Sequence, residues 1–483
     1  MLEQYEEEPT RVTVDILGEL RMFSYVPEWL SAIGDPDLVA EALRRSPAFA
    51  LSTLTLEAVQ VARLRLKKKR WSGFYRLTIT DQAGVRGDVA LQGTLIPPGA
   101  ESGEGHLNED TWRGFVPALR LALIPQPPDD ELSELDPLTD PAQAPGLLER
   151  VIRDHSPVYE SLRFAYCRPK ILRYKPGNRA TILFSLGYAP LDQDRGWPER
   201  VIVKSYRDLR GASTYEAMRA LWESPLLDHD YLKLAEPLAF DKDLRILVQD
   251  HIPNTGTLRE LVREARRVGT PERNAELDDY VRKTGVALAA LHGSGVRAGT
   301  VLDFDRKFEE LSEDLNELIQ AAPQLRGAAD RLLASLMDVA VRCPIDAPVP
   351  SHGAFRSDQV LLSDGAVGFV DFDGLCQAEP AFDVAEFLGK LRSVSLTVGK
   401  GEDDAVDDAQ LPALLARADQ ISDLFIAAYE EHRPLSHERV ALWEALGLLT
   451  RLIDGWAKVK PARLRVNLML MQRFLDSHRQ FLA

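Results

Sequence analysis

An acidic pair close to an amide side chain could bind a divalent cation in this chain. Asp371 and Asp373 are separated by one residue, and Gln359 precedes them in the same region. An apolar run at 368–370 leads into Asp371, which indicates a buried strand that delivers the carboxylate to a sheet edge. Mg²⁺ prefers a few oxygen ligands completed by substrate phosphates, so these residues are candidate metal ligands. Either aspartate could instead be a turn residue that accepts backbone N–H groups, an alternative that is stronger for Asp373.

A lysine at the end of an apolar strand could bind phosphate groups. Lys204 closes the run Val-Ile-Val-Lys, and Glu216 follows it on a predicted helix. Phosphoryl transfer needs a cation on the phosphates, carboxylates around Mg²⁺, and a group that orients the attacking hydroxyl. Lys204 could supply the cation, with Glu216 as the carboxylate that holds its ammonium in place. A solvated lysine at a strand end is the alternative.

The segment 352–359, His-Gly-Ala-Phe-Arg-Ser-Asp-Gln, and the later Asp-Phe-Asp resemble two loops of the aminoglycoside phosphotransferase and choline kinase-like superfamily. These are its catalytic loop and its metal-binding loop. Lys204 matches the family's nucleotide lysine, and the loop 175–179 stands where the family covers the phosphates of ATP. Residues 249–253 look like the hinge, which makes Gln249 and His251 candidate nucleotide-binding residues. The resemblance implies ATP and Mg²⁺ as cofactors.

The catalytic segment departs from the family pattern at two positions. Ala354 stands where the family has the Asp that accepts or orients the proton of the attacking hydroxyl, and Gln359 replaces Asn. Gln359 keeps an amide oxygen, whereas alanine cannot act as a base, and losing a positioned base costs about 10²–10⁴ in rate. Asp358 is either the nearest substitute carboxylate or a turn residue facing water. Arg356 could bind a phosphate or pair with an acidic neighbour.

Three polar residues near these motifs are expected to have structural roles. His352 precedes a glycine in a sharp turn, and Asp383 begins a helix from which it could brace the catalytic segment. His292 is expected to cap and pack the end of its own helix.

The resemblance implies an α+β, two-lobed protein kinase-like fold with a small β-rich N-lobe and a large helical C-lobe. Periodicity agrees, because strand-like runs are followed by an almost continuous helical pattern from residue 257 onward. A helix near 38–43 and three strand-like runs precede these lobes and indicate an N-terminal α/β extension. The predicted boundaries are 1–125 for the extension, 126–146 for a linker, 147–253 for the N-lobe and 254–483 for the C-lobe.

The formal net charge of −16, from 74 acidic and 58 basic side chains, predicts a surface that repels nucleic acids and anionic membranes. The three cysteines are widely spaced and suggest neither a disulfide framework nor a metal knuckle. The acidic N-terminal segment lacks the apolar core of a secretion signal, and no apolar run reaches the ~18–20 residues of a membrane span. A reducing cytoplasm is therefore the expected location.

Together the motifs predict an ATP- and Mg²⁺-dependent phosphotransferase that acts on the hydroxyl of a small molecule. The acceptor is expected between Ala354 and the C-terminal helices. Because position 354 lacks a base, the alternative is a catalytically impaired pseudokinase, a nucleotide-binding regulatory or scaffold module that could bind a protein partner.

Overall fold

The computed structural model describes residues 16–98, 105–126, 132, 134–397 and 409–478. The chain divides into two units, the first comprising 1–126, 308–344 and 445–483, and the second comprising 127–307 and 345–444. Both units combine helices with sheets, so the predicted α+β class is confirmed. None of the described helices is both long enough and apolar enough to cross a bilayer.

The described ranges contain 15 α-helices and 17 β-strands. The helices are α1 (Ile16–Arg21), α2 (Glu28–Ser31), α3 (Pro36–Arg44), α4 (Pro47–Ala50), α5 (Leu135–Thr139), α6 (Ala144–His155), α7 (Arg210–Trp222), α8 (Leu258–Val268), α9 (Pro271–Gly293), α10 (Phe304–Ala321), α11 (Arg326–Arg342), α12 (Pro380–Leu396), α13 (Leu411–Glu430), α14 (His437–Ala457) and α15 (Pro461–Ser477). The strands are β1 (Thr55–Lys67), β2 (Arg70–Thr80), β3 (Arg86–Leu95), β4 (Gly114–Val116), β5 (Leu121–Pro125), β6 (Tyr166–Lys175), β7 (Arg179–Gly187), β8 (Arg200–Tyr206), β9 (Leu232–Lys233), β10 (Pro237–Asp241), β11 (Ile246–Asp250), β12 (Gly256–Thr257), β13 (Thr300–Val301), β14 (Val349–Ser351), β15 (Val360–Ser363), β16 (Ala366–Phe369) and β17 (Cys376–Ala378).

The first unit is centred on an antiparallel sheet in the order β1-β2-β3-β5-β4. Helices α1 to α4, α11 and α15 belong to the same unit. Trp71 on β2 is fully buried, and its Nε1 donates a hydrogen bond to the carbonyl oxygen of Trp456 at 3.3 Å. The helix near 38–43 and the three strand-like runs that followed it in the sequence correspond to α3 and β1–β3, which confirms those elements.

The second unit contains an antiparallel sheet in the order β10-β11-β8-β7-β6. Side chains alternate between the two faces of a strand. One face of β7 and β8 therefore buries residues such as Ile182 and Val203 in a core shared with α6. The other face presents Thr181, Ile202 and Lys204 to a cavity. This alternation explains how a polar lysine can follow three apolar residues without entering the core.

Two small sheets of the second unit carry the segment 352–359, called here the catalytic-type segment, and the loop 371–373, called the metal-type loop. Their strand orders are β12-β15-β16-β9 and β13-β17-β14. The β15–β16 hairpin places Gln359 just before its first strand and Asp371 two residues after its second. Strand β14 ends at Ser351, directly before His352. The short strands therefore fix both ends of the predicted motif, with α8, α9, α12 and α13 in the same unit.

The observed units differ from the predicted boundaries in two places. The stretch 126–146, predicted as a linker, contains α5 and the first residues of α6, and Glu134 is buried with its carboxylate accepting from Ser205 Oγ at 2.6 Å. Residues 308–344 and 445–483, predicted within the helical C-lobe, belong to the first unit. The sequence pattern of an amphipathic helix shows which face is apolar but not which surface covers that face. The pattern of these helices therefore could not assign them to a unit.

Candidate active site

The side chain of Lys204 meets two carboxylates from the loop that follows β16. Its Nζ lies 2.8 Å from Asp371 Oδ1 and 2.8 Å from Asp373 Oδ1. Lys204 is only 5% exposed, and the two carboxylates are partly buried. The early sheet and the late hairpin therefore bring the candidate phosphate-binding cation and the two candidate metal ligands together.

Arg179 completes this cluster and was not singled out from the sequence. Its Nη1 donates to Asp371 Oδ1 at 3.4 Å and to Asp373 Oδ2. Arg179 is the first residue of β7 and pairs in register with Tyr206 on β8. The Tyr206 hydroxyl donates to Asp373 Oδ1 at 3.1 Å. Aligning β7 with β8 in the sequence would have placed Arg179 beside the lysine strand, so a usable signal existed.

The Asp371 carboxyl is ionised because its neighbours are cationic. Burial alone would raise its pKa, but the ammonium of Lys204 and the guanidinium of Arg179 hold the pKa well below its usual range. The Asp371 backbone lies in the left-handed region, at φ +71°, a conformation that non-glycine residues adopt only where the surroundings impose it. The short turn Phe372–Gly374 follows and sets Asp373 on the same side as Asp371.

The catalytic-type segment places two charged side chains and an amide on the same cavity. Arg356, Asp358 and Gln359 all line it, and Arg356 Nε lies 3.3 Å from Asp358 Oδ1. The Asp358 side chain is 39% exposed, so it faces solvent and the cavity together. Ala354 is partly buried and carries no group that could accept a proton. The only carboxylates among the cavity-lining residues of the described chain are those of Asp250, Asp358 and Asp371.

Gln359 has a buried side-chain oxygen that could bind a metal ion. It is 3% exposed, and its Oε1 is buried with no hydrogen-bond partner in the protein. A buried unpaired acceptor costs roughly 1–3 kcal/mol, so a bound cation at this oxygen would remove a penalty. Within the described residues no group of three His, Cys, Asp or Glu side chains could hold a metal. Asp371 and Gln359 with nucleotide phosphates nevertheless fit the sparse protein ligation of Mg²⁺.

Asp383 holds the catalytic-type segment from below. Its carboxylate accepts from His352 N at 2.5 Å and from Gly353 N at 3.0 Å. The His352 ring Nε2 is 3.0 Å from the carbonyl oxygen of Val370, which ties the segment to the metal-type loop. These contacts confirm the structural roles predicted for His352 and Asp383.

His292 is fully enclosed at the end of α9. Its Nδ1 lies 2.8 Å from the Tyr429 hydroxyl, and its Nε2 lies 3.3 Å from Asp383 Oδ2. The predicted packing role of His292 is therefore confirmed, and it also supports the residue that braces the catalytic-type segment.

The predicted hinge residues Gln249 and His251 line the same cavity, whose volume is about 290 Å³. Gln249 is 4% exposed, and its Oε1 has no partner in the protein. His251 is half-buried, and burial together with the nearby Arg200 guanidinium lowers its pKa. Apolar side chains such as Ile202 and Val370 complete the walls.

Glu216 is not part of the cluster, and its predicted ion pair with Lys204 is wrong in this structure. The buried face of α7 is formed by Gly211, Thr214, Ala217, Met218 and Leu221. Glu216 lies outside this face and is exposed to solvent. The ammonium of Lys204 is held by the two aspartates instead.

Comparisons with known proteins find one matching family and several similar solved structures. None of the curated proteins matches the chain significantly, whereas the phosphotransferase enzyme family (APH) matches residues 192–435. Similar solved structures include a glucosamine kinase in complex with glucosamine, ADP and inorganic phosphate, at 14% identity and a TM-score of 0.45, covering 93% of this chain and 100% of that one. Another is the GDP complex of an aminoglycoside 2'-phosphotransferase mutant, at 13% identity and a TM-score of 0.44, with coverage of 70% and 100%. A third is choline kinase from Cryptosporidium parvum Iowa II, at 10% identity and a TM-score of 0.45, with coverage of 69% and 95%.

The family match extends over half of the sequence and includes Lys204, the catalytic-type segment and the Asp371 loop. The resemblance first drawn from the motifs, and the kinase-like α+β fold that it implied, are thereby confirmed. This chain belongs to the phosphotransferase enzyme family.

Proposed function

We propose that this chain binds ATP with Mg²⁺ in the described cavity and transfers the γ-phosphoryl group to the hydroxyl of a small molecule. One observation carries the proposal: the buried Nζ of Lys204 lies 2.8 Å from the carboxylates of Asp371 and Asp373, and Lys204 and Asp371 line one cavity. Phosphoryl transfer is catalysed mainly by positioning and electrostatics. A fixed cation beside ionised carboxylates is the arrangement that this chemistry requires.

Each element of the cavity has a role in this proposal. Gln249 and His251 would border the base, and Lys204 would hold the phosphates. Asp371 and the unpaired oxygen of Gln359 would hold Mg²⁺. The metal would neutralise charge on the β- and γ-phosphates. Bound nucleotide would also satisfy polar atoms that the protein alone leaves unpaired, which favours binding.

The transfer step forms one bond and breaks one bond. The acceptor oxygen attacks the γ-phosphorus, the bond from that phosphorus to the β,γ-bridging oxygen breaks, and ADP leaves. The acceptor's proton must go to a base or to water, because Ala354 cannot take it. Asp358 lines the cavity and is exposed enough to remain accessible. It is the residue that we assign as the proton acceptor.

The experiment that tests this function measures nucleotide binding and phosphoryl transfer separately. ATP binding is followed by calorimetry, and transfer by release of ADP with pooled sugars, amino alcohols and aminoglycosides as acceptors. Lys204→Met should abolish transfer and weaken binding, while Asp371→Asn should abolish transfer with a smaller effect on binding. Acceptor-dependent turnover that survives both substitutions would disprove the assignment. Absence of nucleotide binding by the unaltered protein would disprove the function as a whole.

Ala354 favours a second candidate function. A protein that retains the phosphate-binding lysine and metal carboxylate but lacks the base could be a pseudokinase, which binds nucleotide and uses it to control a partner protein. Binding without any acceptor-dependent turnover would support this alternative. Tight binding of the nucleotide would then raise the stability of the native state.

A further inference from the structure

The acidic pair is already satisfied by protein donors. Asp373 Oδ1 accepts from Lys204 and from the Tyr206 hydroxyl, and Asp373 Oδ2 accepts from Arg179. Asp371 Oδ1 accepts from both Lys204 and Arg179. Three of the four carboxylate oxygens therefore hold N–H or O–H donors. A divalent cation that took Asp373 as a ligand would have to displace them.

The charges of the cluster also balance. Lys204 and Arg179 contribute two positive charges, and Asp371 and Asp373 contribute two negative charges. All four side chains are at most about one quarter exposed, so solvent screens their interactions only in part. A free divalent ion gains little from a neutral group of side chains. Arg179 thus occupies, in charge and in position, the place that a cation beside Asp373 would take.

The guanidinium of Arg179 can contact phosphate while it holds the aspartates. Its contacts with the carboxylates run through Nη1, and a guanidinium has further N–H donors on Nε and Nη2 in one plane. This fork matches the oxygens of a phosphate. Arg179 lines the cavity. It directly follows the turn between β6 and β7, which contains Gly177 at φ +65°. The side chain therefore contacts both carboxylates and also lines the cavity in which the nucleotide is proposed to bind.

We infer that Arg179 is a tethered cation that links the β- and γ-phosphates of a nucleotide to Asp371 and Asp373, so that nucleotide binding itself does not require a divalent metal. The inference rests on the proposed function, because it concerns the same nucleotide. Mg²⁺ would then be needed only for transfer, and Gln359 and Asp371 are the residues that would hold it. Asp373, predicted as a metal ligand from the sequence, serves instead to anchor Arg179 and Lys204.

The test compares ATP binding in excess Mg²⁺ with binding in EDTA, measured by calorimetry. For the unaltered protein, the two dissociation constants should agree within about threefold, a difference below 1 kcal/mol. Arg179→Met removes the charge and the fork but keeps an unbranched chain. Its affinity in EDTA should fall at least about tenfold, the effect of losing one charge-assisted contact, while binding in Mg²⁺ should fall less.

Arg173→Met is the matched control. Arg173 lines the same cavity but is exposed, and among the described residues the cations that pair with the two aspartates are Lys204 and Arg179. Its loss should weaken binding by the same factor with and without metal. Arg179→Lys, which keeps the charge without the fork, should give an intermediate loss in EDTA and serves as the second variant if the methionine variant does not fold.

Mg²⁺ alone provides a readout that does not involve nucleotide. In Arg179→Met, Asp373 loses a counter-charge, so Mg²⁺ should raise the melting temperature of this variant more than that of the unaltered protein. Equal metal dependence of ATP binding in the unaltered protein and in Arg179→Met would overturn the inference and leave the proposed function standing. Failure of the unaltered protein to bind ATP with or without Mg²⁺ would overturn both.

Discussion

Gly353 and Gly374 bring the backbones of two loops into direct contact. A Cβ added at Gly353 would lie 1.8 Å from the carbonyl oxygen of Gly374. Gly353 belongs to the catalytic-type segment, and Gly374 closes the turn after Asp371 and Asp373. The Val370 N–H also donates to the carbonyl oxygen of Gln359 at 3.1 Å. The two loops therefore form one block, and the position of each fixes the position of the other.

Replacing Gly353 by alanine should separate these loops. Gly353 has φ +82°, so alanine would carry about 1–2 kcal/mol of backbone strain before the clash with Gly374 is counted. We expect a loss of several kcal/mol in the free energy of unfolding, together with loss of nucleotide binding. Urea denaturation and calorimetry measure both quantities.

Gly295→Ala is the control for that substitution. Gly295 has φ +70°, but a Cβ there would meet nothing within 4 Å. It should show only the backbone cost, about 1–2 kcal/mol, with nucleotide binding intact. Equal destabilisation by the two substitutions would contradict the contact between the loops.

Much of the site could be predicted because local sequence sets it. Lys204 lies within strand β8, whose alternation decides which face its side chain takes, and Asp371 follows the short apolar strand β16. His352 and Asp383 were interpretable because a turn and a helix start limit what their side chains can reach. In each case the relevant geometry spans a few residues, so spacing in the sequence carries the information.

The rest depends on long-range register and helix phase. Arg179 reaches the aspartates only because β7 pairs with β8 in one register, and a shift by one residue would turn its side chain to the other face. The predicted ion pair between Glu216 and Lys204 is wrong because α7 is rotated so that Thr214 and Met218 face inward. The helical pattern around Glu216 does not identify that rotation, since the apolar residues of α7 leave more than one possible face.

Glu216 and Asp373 should differ sharply when each is substituted. Glu216 is exposed, whereas Asp373 accepts from Lys204 at 2.8 Å. We expect Glu216→Ala to leave the ATP dissociation constant unchanged within about twofold, as is usual for surface substitutions. Asp373→Asn should weaken binding about tenfold or more, because it loses a charge-assisted contact that orients the lysine. Calorimetry on both variants compares the two losses of ATP affinity. A larger loss for Glu216→Ala than for Asp373→Asn would support the ion pair between Glu216 and Lys204 that the sequence predicted.

The stability of the protein should depend on pH through Asp371. Its folded-state pKa lies below its unfolded-state value because Lys204 and Arg179 outweigh the effect of burial. Its stabilising contribution is therefore complete above about pH 5 and decreases as the pH falls through about 4 and lower. The unfolding free energy of the unaltered protein should fall more steeply between pH 5 and 3 than that of Asp371→Asn, as measured by urea denaturation.

Asp250 should change the pH dependence of stability in the opposite direction to Asp371. Burial raises its pKa, so protonation of Asp250 favours the folded state as the pH falls. Asp250→Asn should therefore lose stability toward acid more steeply than the unaltered protein. Parallel pH profiles for Asp371→Asn and the unaltered protein would show that the charged cluster does not contribute to folding.

Restoring a carboxylate at position 354 should reveal how much chemistry its absence costs. Ala354 lies in the loop that Asp383 braces through the backbone of His352 and Gly353, so the backbone of this loop is already held in place. We expect Ala354→Asp to raise the rate of acceptor phosphorylation by about 10²–10⁴ without changing ATP affinity more than about twofold, since the base acts on the acceptor. Ala354→Asn, which has the same shape but no basic group, should not reproduce the gain. If Ala354→Asp leaves the rate unchanged while Asp358→Asn abolishes it, Asp358 is already an efficient proton acceptor. A base at position 354 is then not needed. If neither the unaltered protein nor Ala354→Asp shows acceptor-dependent transfer, the transfer function is contradicted and the pseudokinase alternative is favoured.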